Sequence, residues 1–434
     1  MMARDLDTVF ARVDAIADEL VAFTAELLAI PSVNPPGAAY EECARRVGEA
    51  LRGFGFDIGY HPADGCPEHV PQHPRVNVLG VRRGARARPC VHLNGHLDVV
   101  PAGPGWTVDP FRATVRDGRL YGRGSSDMKG GLAAAMFAAE AIRRAGIGLA
   151  GTIEISGTVD EESGGFAGVA WLATHGLLSS DRADYVIIPE PFGVDRICVG
   201  HRGVYWFEVT THGQAAHGSM PFLGVNAVDR MTDVLTRLRD DLTPVFARRR
   251  TAMPVVPPDA RAATLNVNSI RGGQAGEPTE TPCVPDRCSA VVDRRFLSEE
   301  RFDDVKAEVA DVVARATHGA SDLPCHIRDL MVVEPVATPL DSPLVTALAG
   351  AVREHLGRDA TLVASPGTYD HKHVARIAGI EHCVAYGPGR LELAHQVDEW
   401  VGIDDLVTAT KVLAATILRL VGNPSEHCSV GAVT

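Results

Sequence analysis

Short apolar runs that alternate with helical stretches are the feature that most constrains the fold of this chain. The runs cover residues 76–81, 90–93, 152–156 and 185–188, and residues 132–144 between them have helical spacing. Such runs, when separated by helices, are typical of strands buried on both faces of a sheet. The pattern therefore predicts an α/β domain, which we expect to have a mixed sheet with helices on both faces.

The pattern changes after Gly203. From there to residue 332 the elements follow the order β-α-β-β-α-β, which is that of a compact ferredoxin-like unit. We therefore expect a discontinuous first domain, residues 1–202 and 333–434, and an α+β ferredoxin-like domain, residues 203–332, inserted into it. The length of 434 residues also favours two domains, because one hydrophobic core seldom serves so long a chain.

Apolar residues recur at helical spacing near the N-terminus, from Leu6 to Ile30. This spacing predicts one long first helix, which Pro31 ends because proline cannot continue a helix.

The composition argues against several classes of protein. The net charge is −13 and the basic residues are scattered except for Arg248 to Arg250, so we expect no nucleic-acid partner. No run of roughly 18 apolar residues occurs, and the N-terminus lacks a secretory apolar core, which predicts a cytoplasmic protein without a membrane partner. Nine cysteines without a Cys-x-x-Cys pair indicate neither a disulfide framework nor a zinc ribbon.

Histidines and acidic residues stand where the apolar runs end. Open α/β sheets build their sites at the carboxyl ends of strands, so we expect these side chains to converge. A mixed set of nitrogen and oxygen donors suits zinc, manganese or cobalt, and one carboxylate can bridge two ions roughly 3.5 to 4 Å apart. The candidate ligands are two imidazoles and three carboxylates: His96, Asp127, Glu162, Glu190 and His395.

Two of the acidic motifs have a specific local interpretation. The glycine-rich loop at residues 122–131 has Asp127 where a dinucleotide-binding loop needs glycine, so it predicts a carboxylate at a helix N-terminus instead. Glu161 and Glu162 are adjacent at a strand end, where neighbouring side chains point in opposite directions. One of them can bind a metal while the other transfers protons.

Seven segments, taken in order, resemble a known family. The family is the metallopeptidase group of acetylornithine deacetylase, succinyl-diaminopimelate desuccinylase, aminoacylase and glutamate carboxypeptidase, and the resemblance spans nearly the whole chain. It implies a catalytic domain with an inserted lid or dimerisation domain. The segments are GHLDVVP, YGRGSSDMKGG, GTVDEESGG, IIPEP, GQAAHGSMPFLGVNA, VVDRR and GPGRLELAHQVDEW.

The resemblance also implies how the ligands are divided between two divalent ions per subunit. Asp127 would bridge the ions, His96 and Glu190 would complete one of them, and Glu162 and His395 the other. Zinc is the first expectation for the metal, with manganese and cobalt as alternatives.

Further roles follow from the same resemblance. Asp98 would orient His96, and Glu161 resembles the general base that takes a proton from the attacking water and later passes it to the leaving amine. His217 resembles the histidine that stabilises the oxyanion, commonly in the site of a neighbouring subunit, which implies a homodimer or higher oligomer through the inserted domain. Arg295 would bind a substrate carboxylate, and its neighbour Arg294 is expected at the surface.

The chain departs from its relatives in the segments that would select the substrate. Pro282 stands where many relatives have asparagine, so a substrate-facing amide is absent. Another departure is SPGTYDHKHV, where relatives tend to show small residues beside Gly-Gly-Thr-Asp. In this segment solvent or substrate contact is favoured over extra metal binding by His371 and His373. We expect substrate contacts from Tyr369, Asp370, His371 and Gly387.

These observations predict a di-metal amidohydrolase of the deacetylase or desuccinylase type, acting on a small carboxylated N-acyl or peptide-like substrate. A dipeptidase, a carboxypeptidase or an aromatic amine aminohydrolase is the alternative. The presence of Glu161 argues against a non-catalytic scaffold protein. The absence of a Gly-x-Ser-x-Gly motif argues against a serine hydrolase, and no cysteine marks a thiol hydrolase.

Overall fold

The computed structural model describes residues 2–273, 282–317 and 323–422. The chain forms two compact units, of which the first is Met1–Gly200, Thr338–Leu362 and Tyr369–Thr434, and the second is His201–Ala337 and Val363–Thr368.

The second of these units takes in a segment that the sequence assigns to the first domain. Val363–Thr368 belongs to the second unit, and its main chain is hydrogen-bonded to other residues of that unit. Val256 N, for example, donates to Ala364 O at 3.1 Å. Two short strands, Val336–Ala337 and Thr361–Ser365, lie where the chain passes from one unit to the other.

The predicted first helix is in fact two helices. Met2–Ala15 and Ala17–Leu28 are separated at Ile16, whose φ of −112° and ψ of 14° are not helical, so the prediction of one continuous helix is wrong. The other helices of the first unit are Tyr40–Gly53, Lys129–Arg144, Val169–Thr174, Pro343–Leu356, His371–Arg376 and Ile403–Val421, with 3-10 turns at Glu161–Ser163 and Leu391–Leu393.

A mixed sheet forms the centre of the first unit, as predicted. Cys90–His96 pairs in parallel with both neighbouring strands, and every residue of this strand is buried, so both faces of the sheet are covered here. The carboxyl ends of three adjacent strands therefore meet at one edge. In spatial order the strands are Asp57–Pro62, Val76–Arg82, Thr152–Thr158, Cys90–His96, Tyr185–Ile188, Cys383–Ala385 and Arg196–His201.

A small sheet in the same unit joins two distant parts of the chain. Its central strand, Arg119–Tyr121, pairs with Thr114–Arg116 on one side and with Trp400–Gly402 on the other. This pairing brings the chain just before Asp127 next to the chain just after His395.

The second unit has the predicted β-α-β-β-α-β order. Its sheet is antiparallel, with the fourth strand beside the first, then the third and the second, which is the ferredoxin-like arrangement. Alternate residues of Arg287–Phe296 are buried because one face packs on the helices. The main elements are Gly203–His212, Ala227–Arg237, Thr264–Gly273, Arg287–Phe296, Phe302–Thr317 and Cys325–Val333.

Shorter helical segments complete the second unit: Pro221–Leu223, Leu238–Leu242, Thr243–Phe246 and Pro258–Arg261. The role of this unit as a lid or dimerisation domain stays a prediction.

Within the described parts of the chain, no helix combines the length and the apolar character needed to cross a lipid bilayer.

Close backbone packing joins the helix Lys129–Arg144 to the segment before Glu190. A Cβ atom added to Gly131 would lie 1.9 Å from the carbonyl oxygen of Pro189, which is much closer than atoms pack. Glycine is therefore required at this position for the helix to lie directly against the loop that carries Glu190.

We expect Gly131→Ala to lower the free energy of unfolding by about 1–3 kcal/mol, because the added methyl group must displace the main chain at Pro189. A urea titration measures this loss. Gly148→Ala is the matched control, since Gly148 is exposed and its added Cβ would meet no atom within 4 Å. Equal unfolding midpoints for the two variants would contradict this description of the packing.

Candidate metal centre

The five residues predicted to bind metal all lie in the first unit, at or just after the ends of regular elements. The strands before Glu162 and Glu190 both pair in parallel with the strand that ends in His96, so their carboxyl ends share one edge of the sheet. The positions are a strand end (His96), the loop before a helix (Asp127), a 3-10 turn (Glu162) and two loops (Glu190 and His395).

Three of these side chains, those of His96, His395 and Glu162, meet around the fourth, Asp127. His96 Nε2 lies 3.1 Å from Asp127 Oδ1, and His395 Nε2 lies 3.5 Å from Asp127 Oδ2. His395 Nε2 is also 3.0 Å from Glu162 Oε2. One ligand atom each of His96, Asp127 and Glu162 lies within 4.8 Å of the others. The two oxygens of Asp127 therefore face different imidazoles, which is the arrangement that a bridging carboxylate needs.

The cluster concentrates negative charge in a buried place. Burial, together with the charge of Asp127, raises the pKa of Glu190 well above its usual range, and the same two causes raise the pKa of Glu162. Burial opposes ionisation of Asp127 too, but hydrogen bonds from His395 and His96 outweigh it and lower the pKa of Asp127. Buried carboxylates gathered with imidazoles are a donor set that suits divalent metal ions.

Glu161 lies beside the cluster with a different electrostatic environment. Burial raises the pKa of Glu161 to about 8, and the ammonium group of Lys372, with Nζ 3.9 Å from Oε1, opposes this rise. A carboxyl group that binds and releases a proton near neutral pH is well suited to general acid–base chemistry.

The predicted role of the Asp98 side chain requires correction. His96 Nδ1 donates to the main-chain carbonyl of Asp98 at 2.9 Å, whereas Asp98 Oδ1 lies 3.7 Å from this nitrogen. The Asp98 carboxylate instead accepts from the main-chain N–H groups of Glu161 and Glu162, at 3.2 and 3.1 Å, and from Asn34 Nδ2 at 2.9 Å. The reason is that the first N–H groups of a helical turn lack partners within the turn.

This geometry gives Asp98 two functions in the cluster. Its carbonyl sets the tautomer of His96 that leaves Nε2 available as a ligand, and its carboxylate positions the turn that carries both glutamates.

The 3-10 turn Glu161–Ser163, here called the acidic turn, is also held through Asp160 and its two partners, Tyr40 and Arg75. Asp160 has φ of 61°, a left-handed conformation, and its carboxylate accepts from Tyr40 Oη at 2.9 Å and from Arg75 Nε at 3.1 Å. Asp160 is noticeable in the sequence because it precedes Glu161. Tyr40 and Arg75 carry no such signal, since they come from distant elements.

Polar side chains line one face of two central strands and reach the same region. His92 contacts Glu154 Oε2 at 3.1 Å and Ser156 Oγ at 2.7 Å, and Ser156 donates to Asn94 Oδ1 at 2.7 Å. Asn94 Nδ2 in turn donates to Asp370 Oδ2 at 3.2 Å. Polar residues at every second position of CVHLNGH are the sequence signal that could have revealed this stripe.

Three predicted substrate contacts have buried side chains. Tyr369, Asp370 and His371 are 4%, 1% and 1% exposed, and Tyr369 Oη lies 3.3 Å from His371 Nδ1. The nearby His373 donates from Nε2 to the carbonyl of Gly164 at 2.6 Å. The helix His371–Arg376 therefore contacts the chain just after the acidic turn. Direct contact of the three residues with substrate stays a prediction.

Gly387, the fourth predicted substrate contact, lies against the loop of Glu190. A Cβ atom here would be 2.3 Å from Pro189 O and 2.7 Å from Glu190 O, so glycine is required for this close approach. The structure thus shows a packing role for Gly387, and its role in substrate binding stays a prediction.

His217 lies in the second unit, in an exposed loop. Its Nδ1 accepts from Ser219 N at 3.2 Å, and Gly218 N donates to the carbonyl of Pro282 at 2.7 Å. The departure at Pro282 is therefore a direct neighbour of the His217 loop. The oxyanion role of His217 stays a prediction.

The prediction that Arg294 is a surface residue is wrong. Arg294 is fully buried, donates to Glu300 Oε1 at 2.7 Å and stacks on Phe246, because its side chain lies on the helix-covered face of its strand. Arg295 lies on the opposite face, is partly exposed, and is paired with Asp293 Oδ1 at 2.8 Å. Its carboxylate-binding role stays a prediction.

Comparison with known proteins identifies the family. Residues 92–419 match the model of Peptidase family M20/M25/M40. The chain belongs to this family. In sequence this M20 chain is 30% identical over 416 residues to the succinyl-diaminopimelate desuccinylase of Azoarcus sp. (strain BH72), which covers 92% of this chain and 97% of that protein.

Solved structures show the same fold. The M20 chain is similar to the dipeptidase Dug1p of Saccharomyces cerevisiae, with a TM-score of 0.77 and 18% identity over 95% of this chain and 98% of that one. It is also similar to YXEP of Bacillus subtilis, a dinuclear metal-binding peptidase, with a TM-score of 0.66 and 15% identity over 93% and 98% of the two chains.

Family membership confirms the predicted resemblance and fold class. It also establishes that the chain is a hydrolase of the M20 type, with a candidate metal site in the first unit.

We expect zinc to stabilise the metal-free protein through this cluster. At about 100 times its dissociation constant, a ligand that binds only the folded state adds about 2.7 kcal/mol to the free energy of unfolding. Thermal melts with and without zinc measure the gain, which Asp127→Asn should largely remove. Asp64→Asn is the control because that carboxylate is exposed beside His69. Equal gains in both variants would contradict the assignment.

Proposed function

We propose that this chain is a di-metal amidohydrolase that cleaves an amide C–N bond in a small carboxylated substrate of the N-acyl or peptide-like kind. The observation that carries the proposal is the contact of each Asp127 oxygen with a different imidazole, beside the acidic pair Glu161 and Glu162. The similarity to a desuccinylase supports a deacylase of the deacetylase or desuccinylase type.

The donor set fits two divalent ions. Asp127 would hold both, His96 and Glu190 one, and Glu162 and His395 the other. Two imidazoles and three carboxylates suit zinc, with manganese or cobalt as alternatives. The likeness to a dinuclear metal-binding peptidase supports this number of ions.

When bound, such a pair of ions polarises the amide carbonyl and lowers the pKa of water. Glu161 is the residue of this chain that moves the proton. Its carboxylate accepts a proton from the attacking water, whose oxygen forms a bond to the carbonyl carbon, and then donates that proton to the amine nitrogen as the C–N bond breaks. Burial raises the pKa of Glu161, which favours its protonated form as the donor to the amine nitrogen.

The second unit would complete the enzyme in a homodimer or higher oligomer. His217 is exposed and its Nδ1 accepts from Ser219 N, which leaves Nε2 as the ring nitrogen able to donate to a developing oxyanion. We propose that it does so, in its own subunit or in the partner, and that the protein acts in the cytoplasm.

A dipeptidase or carboxypeptidase is the second candidate function. Pro282 O accepts from Gly218 N at 2.7 Å, so the residue that departs from the family pattern adjoins the His217 loop, and we propose that it changes which substrate is admitted. A panel of N-succinyl, N-acetyl, dipeptide and aromatic amine substrates, assayed with protein of defined metal content, distinguishes these activities.

We expect Glu161→Ala to lower kcat by about 10²- to 10⁴-fold while the protein keeps its bound metal, because the variant lacks only the proton carrier. Steady-state kinetics and metal analysis measure the two quantities. The control is Glu49→Ala, which removes an exposed carboxylate from the helix Tyr40–Gly53. Unchanged turnover in Glu161→Ala would reject Glu161 as the base, and activity that resists chelators would favour a thiol or serine hydrolase.

We expect Arg295→Met to raise KM about 10- to 100-fold for a carboxylated substrate with little change in kcat, because a hydrogen bond to a charged group is lost. The same substrate with its carboxylate converted to an amide should show no such change. Arg287→Met, at the exposed start of the same strand, is the control. A KM that stays at the wild-type value would remove Arg295 from substrate binding.

A further inference from the structure

A buried carboxylate outside the predicted ligand set organises the loop of Asp127. Glu399 is fully buried, and its Oε1 accepts from the main-chain N–H groups of Ser126 and Asp127 at 2.8 and 3.0 Å. Its Oε2 accepts from Gly124 N at 3.2 Å and from Arg123 Nη1 at 2.6 Å. One side chain thus accepts hydrogen bonds from three main-chain N–H groups of a loop that has no regular structure between Tyr121 and Lys129.

The partner of this carboxylate reaches the second loop of the site. Arg123 is 2% exposed, and its Nη2 donates to the main-chain carbonyls of His395 and Ala102, each at 3.4 Å. The ion pair therefore contacts both loops. The carboxylate of Glu399 contacts the Asp127 loop, and the guanidinium of Arg123 contacts the His395 loop.

The conformation of the second loop explains why it needs such support. His395 has φ of 64°, a left-handed conformation that is unfavourable for a residue with a side chain and persists only where its surroundings hold it. Arg123 Nη2 donates to the carbonyl of this same residue at 3.4 Å and so helps to hold its conformation.

A buried ion pair adds little net stability to a fold. Desolvation of the two charges offsets much of their attraction, and well-packed apolar residues often stabilise a fold as well. A carboxylate that accepts from several fixed main-chain donors does, however, determine where those donors lie. The pair is thus better suited to fixing loop positions than to adding stability.

We propose that Arg123 and Glu399 form a positioning pair that sets the placement of Asp127 relative to His395 and thereby the metal affinity of the site. The inference rests on the proposed function, because it assumes that these two residues bind metal. Outer contacts of this kind typically change metal affinity 10- to 100-fold when they are removed.

The test compares Glu399→Gln with Glu140→Gln in the full-length protein. Glu140 is a matched control: it is 1% exposed and paired with Arg143 Nε at 2.7 Å and Arg144 Nε at 2.6 Å, on a helix of the same unit. Zinc affinity is measured by competition with a chromophoric chelator, and the melting temperature of each metal-free variant is measured in parallel.

We expect Glu399→Gln to weaken zinc binding at least 10-fold, while Glu140→Gln lowers the melting temperature and leaves zinc affinity within about twofold of wild type. Wild-type affinity in Glu399→Gln, or an equal loss in both variants, would overturn the proposal.

If Glu399→Gln does not fold, the zinc affinity of Arg123→Lys tests the proposal instead. Lysine keeps the charge beside Glu399 but lacks the second nitrogen that reaches the His395 carbonyl, so zinc affinity should fall several-fold. Unchanged affinity would overturn the proposal. Failure of the proposed function itself would be seen separately, as wild-type protein that binds fewer than two ions or keeps its activity in chelator.

Discussion

Buried negative charge is the constraint around which the first unit is organised. Asp127, Glu161, Glu162 and Glu190 gather at one edge of the sheet, where burial raises the pKa of the three glutamates. An ionised carboxylate buried without a partner is costly, by several kcal/mol, so such a cluster needs protons or cations. The imidazoles around Asp127 meet part of this need, and a pair of divalent ions would meet the rest.

The structure holds the cluster mainly through the main chain. Asp98 accepts from the N–H groups of the acidic turn, and Glu399 accepts from those of the Asp127 loop. Both carboxylates satisfy donors that no regular element would satisfy. Gly131 and Gly387 add close backbone contacts at Pro189, beside the Glu190 loop. The placement of the candidate ligands is thus a property of neighbouring loops, each supported by a residue remote in sequence.

The elements were predictable to different degrees. The strand Tyr185–Ile188 was predictable because a buried strand is a short apolar run, and the ferredoxin-like order because its elements follow each other along the chain. The break at Ile16 was not, because the apolar stripe continues across it: Val13, Ile16 and Leu20 are all buried. The burial of Arg294 depends on which face of its strand the helices cover, and the strand pattern alone leaves that open.

By itself the sequence determined the order of the elements, the acidic and histidine residues at the strand ends, and the family to which the chain belongs. These properties follow from local apolar patterns and short motifs. Only the tertiary structure decided that the carbonyl of Asp98 orients His96, that Tyr369 is buried, and that Glu399 supports the Asp127 loop. Those facts depend on contacts between segments far apart in the chain, and such contacts form only when the sheet brings the segments together.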